Sequence, residues 1–118
     1  MTANPRPLAV TVVAWLYIAV GTIGFIAHLA DFVKQHTFGL DALEIEAVET
    51  VALVSGIFLL RGRNWARWLA IAWIGFHVVL SLFDPLSKLL IHAVLCALVA
   101  WALFHRAASR HFRPRAPA

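Results

Sequence analysis

The chain has 118 residues, of which 62% are apolar and 14% charged, with a formal net charge of +4. Soluble domains are about 45–50% apolar and about 25% charged, so this composition excludes an ordinary soluble fold, and its shortage of charge excludes a disordered chain. The length suits one domain, and a single cysteine, Cys96, excludes an internal disulfide framework.

The first apolar run, residues 8–30, holds 23 residues without a charge and is long enough to cross a hydrocarbon core of about 30 Å. It is longer than the apolar region of a cleaved signal peptide, and further spans follow it, so it reads as a membrane helix. Residues 31–40 are mixed: Phe32, Val33, Phe38 and Leu40 suit the interface, and Gly39 marks a turn. Asp41 as N-cap with Glu44 at the third helical position is close to a capping box. It opens a second helix over about 42–60 that carries Glu44, Glu46 and Glu49 in its first half. Arg61 to Asn64 make a tight basic turn. The third span, 65–83, has His77 as its one interior ionisable residue, and Asp84-Pro85 ends it, because proline cannot continue a helix and restricts the residue before it. The fourth span is 86–104, and the basic tail 105–118, with Pro114 and Pro117, is expected to fray. The expectation is one all-α membrane domain over 1–118, a polytopic four-helix bundle.

Four spans place both termini on one side. Arg6, Arg61, Arg63, Arg67, Arg106, Arg110, Arg113 and Arg115, eight of the ten basic residues, fall on that side, and Lys34 and Lys88 on the other. All six acids, Asp31, Asp41, Glu44, Glu46, Glu49 and Asp84, lie on the second side or in its half of the membrane. By the positive-inside rule both termini are cytoplasmic. Trp65, Trp68 and Trp101 suit interfacial anchoring, whereas Trp15 and Trp73 lie deeper and read as packing residues. The basic tail can contact anionic headgroups. Nucleic acid is not expected as a partner, because the charges follow topology and no recognition motif accompanies them.

Polar groups inside a membrane are costly and point to function. At 1.5 Å per residue, Glu49 and Glu46 lie about 18 and 22 Å from Arg61, His77 lies about 15 Å from Arg67, and His92 about 21 Å from Arg106. Helical spacing gives each span one polar or small stripe: Tyr17, Gly21, Gly24, His28 and Asp31; Glu46, Glu49, Leu53 and Gly56; Ala70, His77, Ser81 and Asp84; Lys88, His92 and Cys96. The stripes are expected to converge on an outward-open polar pocket lined by Glu46, Glu49, His77, His92, Ser81, His28 and Tyr17. His77 stands eight residues before Pro85 and His92 seven after it, so an antiparallel hairpin puts them at nearly equal depth.

Plainer roles compete with each of these. His77 can bond a backbone carbonyl or a serine, Glu46 and Glu49 can belong to a helix that begins in water, and Lys88 can snorkel outward. Gly21 and Gly24 suit close helix packing, and Cys96 suits a small buried hydrophobe. No nucleophile elbow, phosphate-binding glycine loop or H-E-x-x-H occurs. The Glu-x-x-His pair of di-iron bundles is replaced by Glu46-x-x-Glu49. His77, His92 and Glu49 have the chemistry for Zn²⁺ or Fe²⁺. A haem between His77 and His92 has little room in a hairpin of helices 8–10 Å apart, though more between subunits.

The stretch from Leu59 to Trp68, LLRGRNWARW, and the Arg6-Pro7-Leu8 opening resemble small uncharacterised bacterial four-helix integral membrane proteins. The resemblance implies a four-span fold in a bacterial cytoplasmic membrane and no activity. Small multidrug transporters share the span count, but their membrane glutamate lies in the first helix, where this chain has no acid before Asp31.

The expected function is non-enzymatic and without a cofactor: a structural or accessory subunit, or a homo-oligomer, packed in the lipid bilayer. The alternatives are a proton- or cation-coupled transporter or channel that uses the polar pocket, and a metal- or haem-binding membrane protein. Glu49 in hydrogen-bond reach of His77 or His92 would titrate with it as one unit.

Overall fold

Each apolar run folds as a helix, the form that satisfies backbone N–H and C=O groups within one segment. The computed structural model of the protein describes residues 5–113. Among the described residues there are five helices, α1 (Leu8–Gln35), α2 (Leu40–Leu60), α3 (Asn64–Leu80), α4 (Leu86–Phe104) and α5 (Arg106–His111), with a 3₁₀ turn at Ser81–Phe83 after α3. Successive long helices run antiparallel. Gly24 meets Glu49 while Gly56 meets Ala14. Phe58 packs on Trp65 and Trp68 on Phe104, with ring centroids 4.8 and 4.9 Å apart. A hydrogen bond from the Tyr17 hydroxyl to the Ala70 carbonyl, 2.7 Å long, ties α1 to α3.

Among the described residues three stretches are long and apolar enough to cross a membrane: Leu8–Gln35, Asn64–Phe83 and Leu86–Phe104. α2 has a comparable length, 21 residues, but carries Asp41, Glu44, Glu46 and Glu49. It is also the most sheltered long helix. From Glu46 to Leu60 it exposes no large apolar side chain, whereas Leu16, Val20 and Ile23 of α1 and Leu90, Val94 and Leu98 of α4 face outward. The molecule measures 54 × 32 × 19 Å. Its smallest dimension is less than two helix diameters, so most large apolar side chains lie on the outside and the core is built from small ones, Ala14, Ala52, Ala66, Ala70 and Ala102 among them.

Glycine sets the spacing of α1 and α2. A methyl group on Gly21 would fall 2.6 Å from the Leu53 backbone nitrogen, and one on Gly56 would fall 2.6 Å from the Ala14 carbonyl oxygen. The backbones therefore meet directly, the geometry that small residues allow between membrane helices.

The structure corrects four expectations. α1 runs five residues past Ala30 and closes at His36 in the left-handed conformation, φ 53°. Asp41 does not cap α2: Gly39, in extended geometry, precedes the first turn, and its carbonyl accepts the Leu43 N–H at 3.2 Å. Asp41 is thus already inside the helix, where its carboxylate still offsets the helix dipole. Trp15 is not a packing residue; it is 56% exposed, on the outer face of α1. The tail does not fray from His105. The extended backbone of His105 breaks α4, and α5 folds back with Ala108 and Phe112, one turn apart, both buried. The His111 Nε2 lies 3.2 Å from the Leu59 carbonyl, pinning α5 to the end of α2. Pro114, Arg115 and Pro117 lie outside the described residues. The Arg61–Asn64 turn is as tight as expected, with Gly62 at φ 72°, and the break at Asp84-Pro85 and the bounds of α4 agree with the sequence reading.

The glycine contacts separate two kinds of substitution. Gly21→Ala and Gly56→Ala push backbone against backbone and should each destabilise the bundle by about 1–3 kcal/mol. Gly24→Ala meets only the end of the Glu49 side chain, which can swing away, and should cost much less. Thermal unfolding of the three variants in detergent, followed by circular dichroism, gives the ranking; equal losses at all three positions would contradict it.

Candidate functional site

The expected pocket residues fall into two groups joined by Trp73. The first lies between α1 and α2. Glu46 and Glu49, three residues apart, share the α2 face turned to α1, and the absence of a side chain at Gly24 makes room for the Glu49 carboxyl group: a methyl there would sit 2.5 Å from its carbon. Only 14% of the Glu49 side chain is exposed, and its Oε1 lies 3.6 Å from His28 Nδ1. That is an ion-pair distance and too long for a hydrogen bond. His28 Nδ1, Glu49 Oε2 and both Glu46 carboxyl oxygens are buried without a hydrogen-bond partner. Four such atoms on three neighbouring side chains stand out, since buried polar groups are nearly always paired.

The second group lies between α3 and α4. The His77 and His92 rings are 6.0 Å apart, centroid to centroid, which meets the equal-depth expectation. The His77 Nδ1–H donates to the Trp73 carbonyl at 2.9 Å. The buried Ser81 hydroxyl donates to the His77 carbonyl at 2.7 Å and also contacts His92 Nδ1. A hydroxyl has one proton. With that proton directed to the carbonyl, His92 Nδ1 must donate to the serine oxygen. In the neutral form both histidines then hold their proton on Nδ1, which leaves each Nε2 as the acceptor.

Trp73 connects the groups. Its indole N–H donates to the Val48 carbonyl of α2 at 2.9 Å, and its ring lies 4.1 Å from that of His77 and 5.1 Å from that of Tyr17. Glu49 meets His28, and among the described residues no hydrogen bond or ion pair joins it to His77 or His92. Tyr17 belongs to this middle layer, with its hydroxyl spent on Ala70. The sequence reading treated Trp73 as packing alone. The available signal was its spacing, one turn before His77 on the same helix face.

The structure thus brings His28, Glu46 and Glu49 together, brings His77, Ser81 and His92 together, and places Tyr17 beside the link between them. An open cleft of about 520 Å³ at the α1–α2 connection is lined by Phe32, His36, Thr37, Phe38, Gly39 and Asp41, none of them among the expected pocket residues. Among the described residues no three His, Cys, Asp or Glu side chains are grouped to hold a metal ion, so His77, His92 and Glu49 do not form a ligand set. Lys88 pairs with Asp84 at 3.0 Å, and Cys96 is half-buried beside the core. The chain matches no family model, no curated protein and no solved structure.

The serine bridge is testable. Ser81→Ala removes the acceptor that holds the His92 proton on Nδ1. Imidazole ¹⁵N shifts of His92 should move toward the Nε2–H tautomer, while those of His77, held by Trp73, stay in place. Unchanged His92 shifts would refute the bridge.

Proposed function

We propose that the chain is a four-span integral membrane protein of a bacterial cytoplasmic membrane, α2 included, with both termini cytoplasmic. In this reading it works without catalysis, as an accessory subunit or homo-oligomer packed in the bilayer. The observation that carries the reading is the sheltering of α2, which packs between α1 and α3 and exposes no large apolar side chain from Glu46 to Leu60. Of the four carboxylates of α2, Asp41 and Glu44 are exposed near its start, whereas Glu46 and Glu49 can lie in hydrocarbon only if they face protein, and the Gly21 and Gly24 contacts turn Glu49 toward α1. The distribution of arginine supports the orientation. Arg6 bonds the Leu60 carbonyl and Arg67 the Leu103 carbonyl, so the N-terminal segment, the α2–α3 turn and the end of α4 meet at one basic end.

Cysteine labelling tests the topology. In a Cys96→Ala background, His36→Cys should react with an impermeant maleimide in intact cells. Arg63→Cys and Arg110→Cys should react only after permeabilisation. A reactive position 63 would mean that α2 does not cross, and a reactive position 110 would overturn the orientation. Native mass spectrometry from bilayer discs should then show more than one copy of the chain, or the chain with another protein.

A second reading, a proton-coupled carrier, is favoured by the unpartnered atoms of His28, Glu46 and Glu49. Glu49→Gln keeps shape and removes charge, so it separates the two. A carrier would show pH-dependent flux in liposomes that the variant loses with its fold intact. The packing role gives no flux with either protein, at most a change in stability, and this is the expected result.

A further inference from the structure

The basic end of the molecule is a built surface with no acid on it. α5 is a short amphipathic helix laid back against the bundle. Ala108 and Phe112 turn inward and are buried, while Arg106, Arg110 and Arg113, spaced four and three residues apart, are exposed. The fold-back is held from beneath. His111 meets the Leu59 carbonyl, and the Arg67 guanidinium bonds the Leu103 carbonyl and the Ser109 hydroxyl, each at 3.3 Å. The same guanidinium lies 4.5 Å from the Phe104 ring centre and 5.4 Å from that of Phe112. Next to α5 stand the exposed Arg61 and Arg63 of the α2–α3 turn, joined to it through the Gly62–His111 contact. Among the described residues the ion pairs are His28–Glu49 and Lys88–Asp84, so no arginine is neutralised by a carboxylate.

We propose that α5 and the α2–α3 turn form a binding surface for the phosphates of anionic phospholipids, with Arg106, Arg110 and Arg113 on one side and Arg61 and Arg63 on the other. The inference rests on the membrane reading above and adds a lipid preference to it. Three observations select this partner. Every cation on the surface is arginine, whose planar fork matches phosphate oxygens bidentately. Trp65, Trp68 and Trp101 are exposed near the helix ends that carry the arginines, the position tryptophan takes at headgroup depth. Phe112 and Ala108 are used in holding α5 down, so its outer face is left polar and aimed away from the core. Arg67 is the positioning residue. It does not reach the lipid; it locks the α4–α5 corner that lines up the exposed arginines.

The test uses the full-length protein reconstituted in vesicles of phosphatidylcholine with increasing phosphatidylglycerol. Tryptophan quenching by brominated phosphatidylglycerol is compared with quenching by brominated phosphatidylcholine. At roughly fivefold per arginine near the surface, Arg106→Gln/Arg110→Gln/Arg113→Gln should lower the preference for the anionic lipid by about a hundredfold. Lys34→Gln/Lys88→Gln, at the opposite end, should leave it unchanged. The preference should weaken in 1 M salt, where the screening length falls to about 3 Å. Should the triple variant fail to fold, the salt titration of the native protein carries the same question. Equal quenching by both lipids overturns the proposal, as does a preference that survives the triple substitution or high salt. Inorganic phosphate or an oligonucleotide that competes the lipid away at equal charge also overturns it. A protein that never enters the vesicles fails the membrane reading itself, whereas one that enters without lipid preference fails this inference alone.

Discussion

The structure depends on how closely α1 and α2 approach. At Gly21 and Gly56 there is no room for a methyl group between the two backbones, and at Gly24 the missing side chain is replaced by the carboxyl group of Glu49. Helices in a lipid-like medium gain nothing by hiding apolar side chains from each other, so close backbone contact and polar bonds must hold them together. Both meet in this pair. The glycines bring α2 within reach of His28, and the same approach covers a carboxylate that would otherwise face an apolar surround. α3 then closes over the pair through two side chains, the Tyr17 hydroxyl reaching Ala70 from α1 and the Trp73 indole reaching Val48 on α2. α4 is joined to α3 through the Ser81–His92 contact and the Trp68–Phe104 packing.

Much of this architecture can be read from residue order. The breaks at Arg61–Asn64 and Asp84-Pro85 mark where α2 ends, where α3 begins and where α4 begins, because Gly62 takes the left-handed turn and proline cannot continue a helix. The three- and four-residue spacing of Gly21, Gly24 and His28 and of Glu46 and Glu49 also identifies the faces that meet. What spacing does not contain is rotation. His77 and His92 were at matched depth in the sequence, but their proximity is decided by the packing of α3 on α4, and the split of the polar residues into two groups is decided by the bulk of Trp73 between them. The tail was misread for a different reason. Its arginines and prolines are conspicuous, whereas the pair that folds it back, Ala108 and Phe112, covers too few residues to register as a period.

Polar groups in the two halves of the site are satisfied differently. Between α3 and α4 the hydrogen-bond count closes at the Nδ1 atoms of His77 and His92 and at the Ser81 hydroxyl, which all find partners. Such a network fixes tautomers and side-chain positions and acts as a rigid strut. Between α1 and α2 the count does not close, since the Glu46 carboxyl group and one oxygen of Glu49 have no donor. A carboxylate in that state needs a proton, a water or a cation to complete it. The two halves approach at Trp73, whose ring lies 4.1 Å from that of His77, while the charge of Glu49 is met first by His28, 3.6 Å away.

The ordering of the helices follows from the same constraint. A helix with four carboxylates is the least able to face hydrocarbon, and α2 exposes no large apolar side chain between Glu46 and Leu60. The other three long helices have apolar outer faces and can tolerate exposure on one side. In the four-span reading, α2 cannot be stable in the bilayer before α1 covers Glu49, because a lone carboxylate at that depth is costly. In that reading its insertion is coupled to the formation of the α1–α2 hairpin, and the backbone-to-backbone approach at Gly21 becomes the condition for α2 to cross.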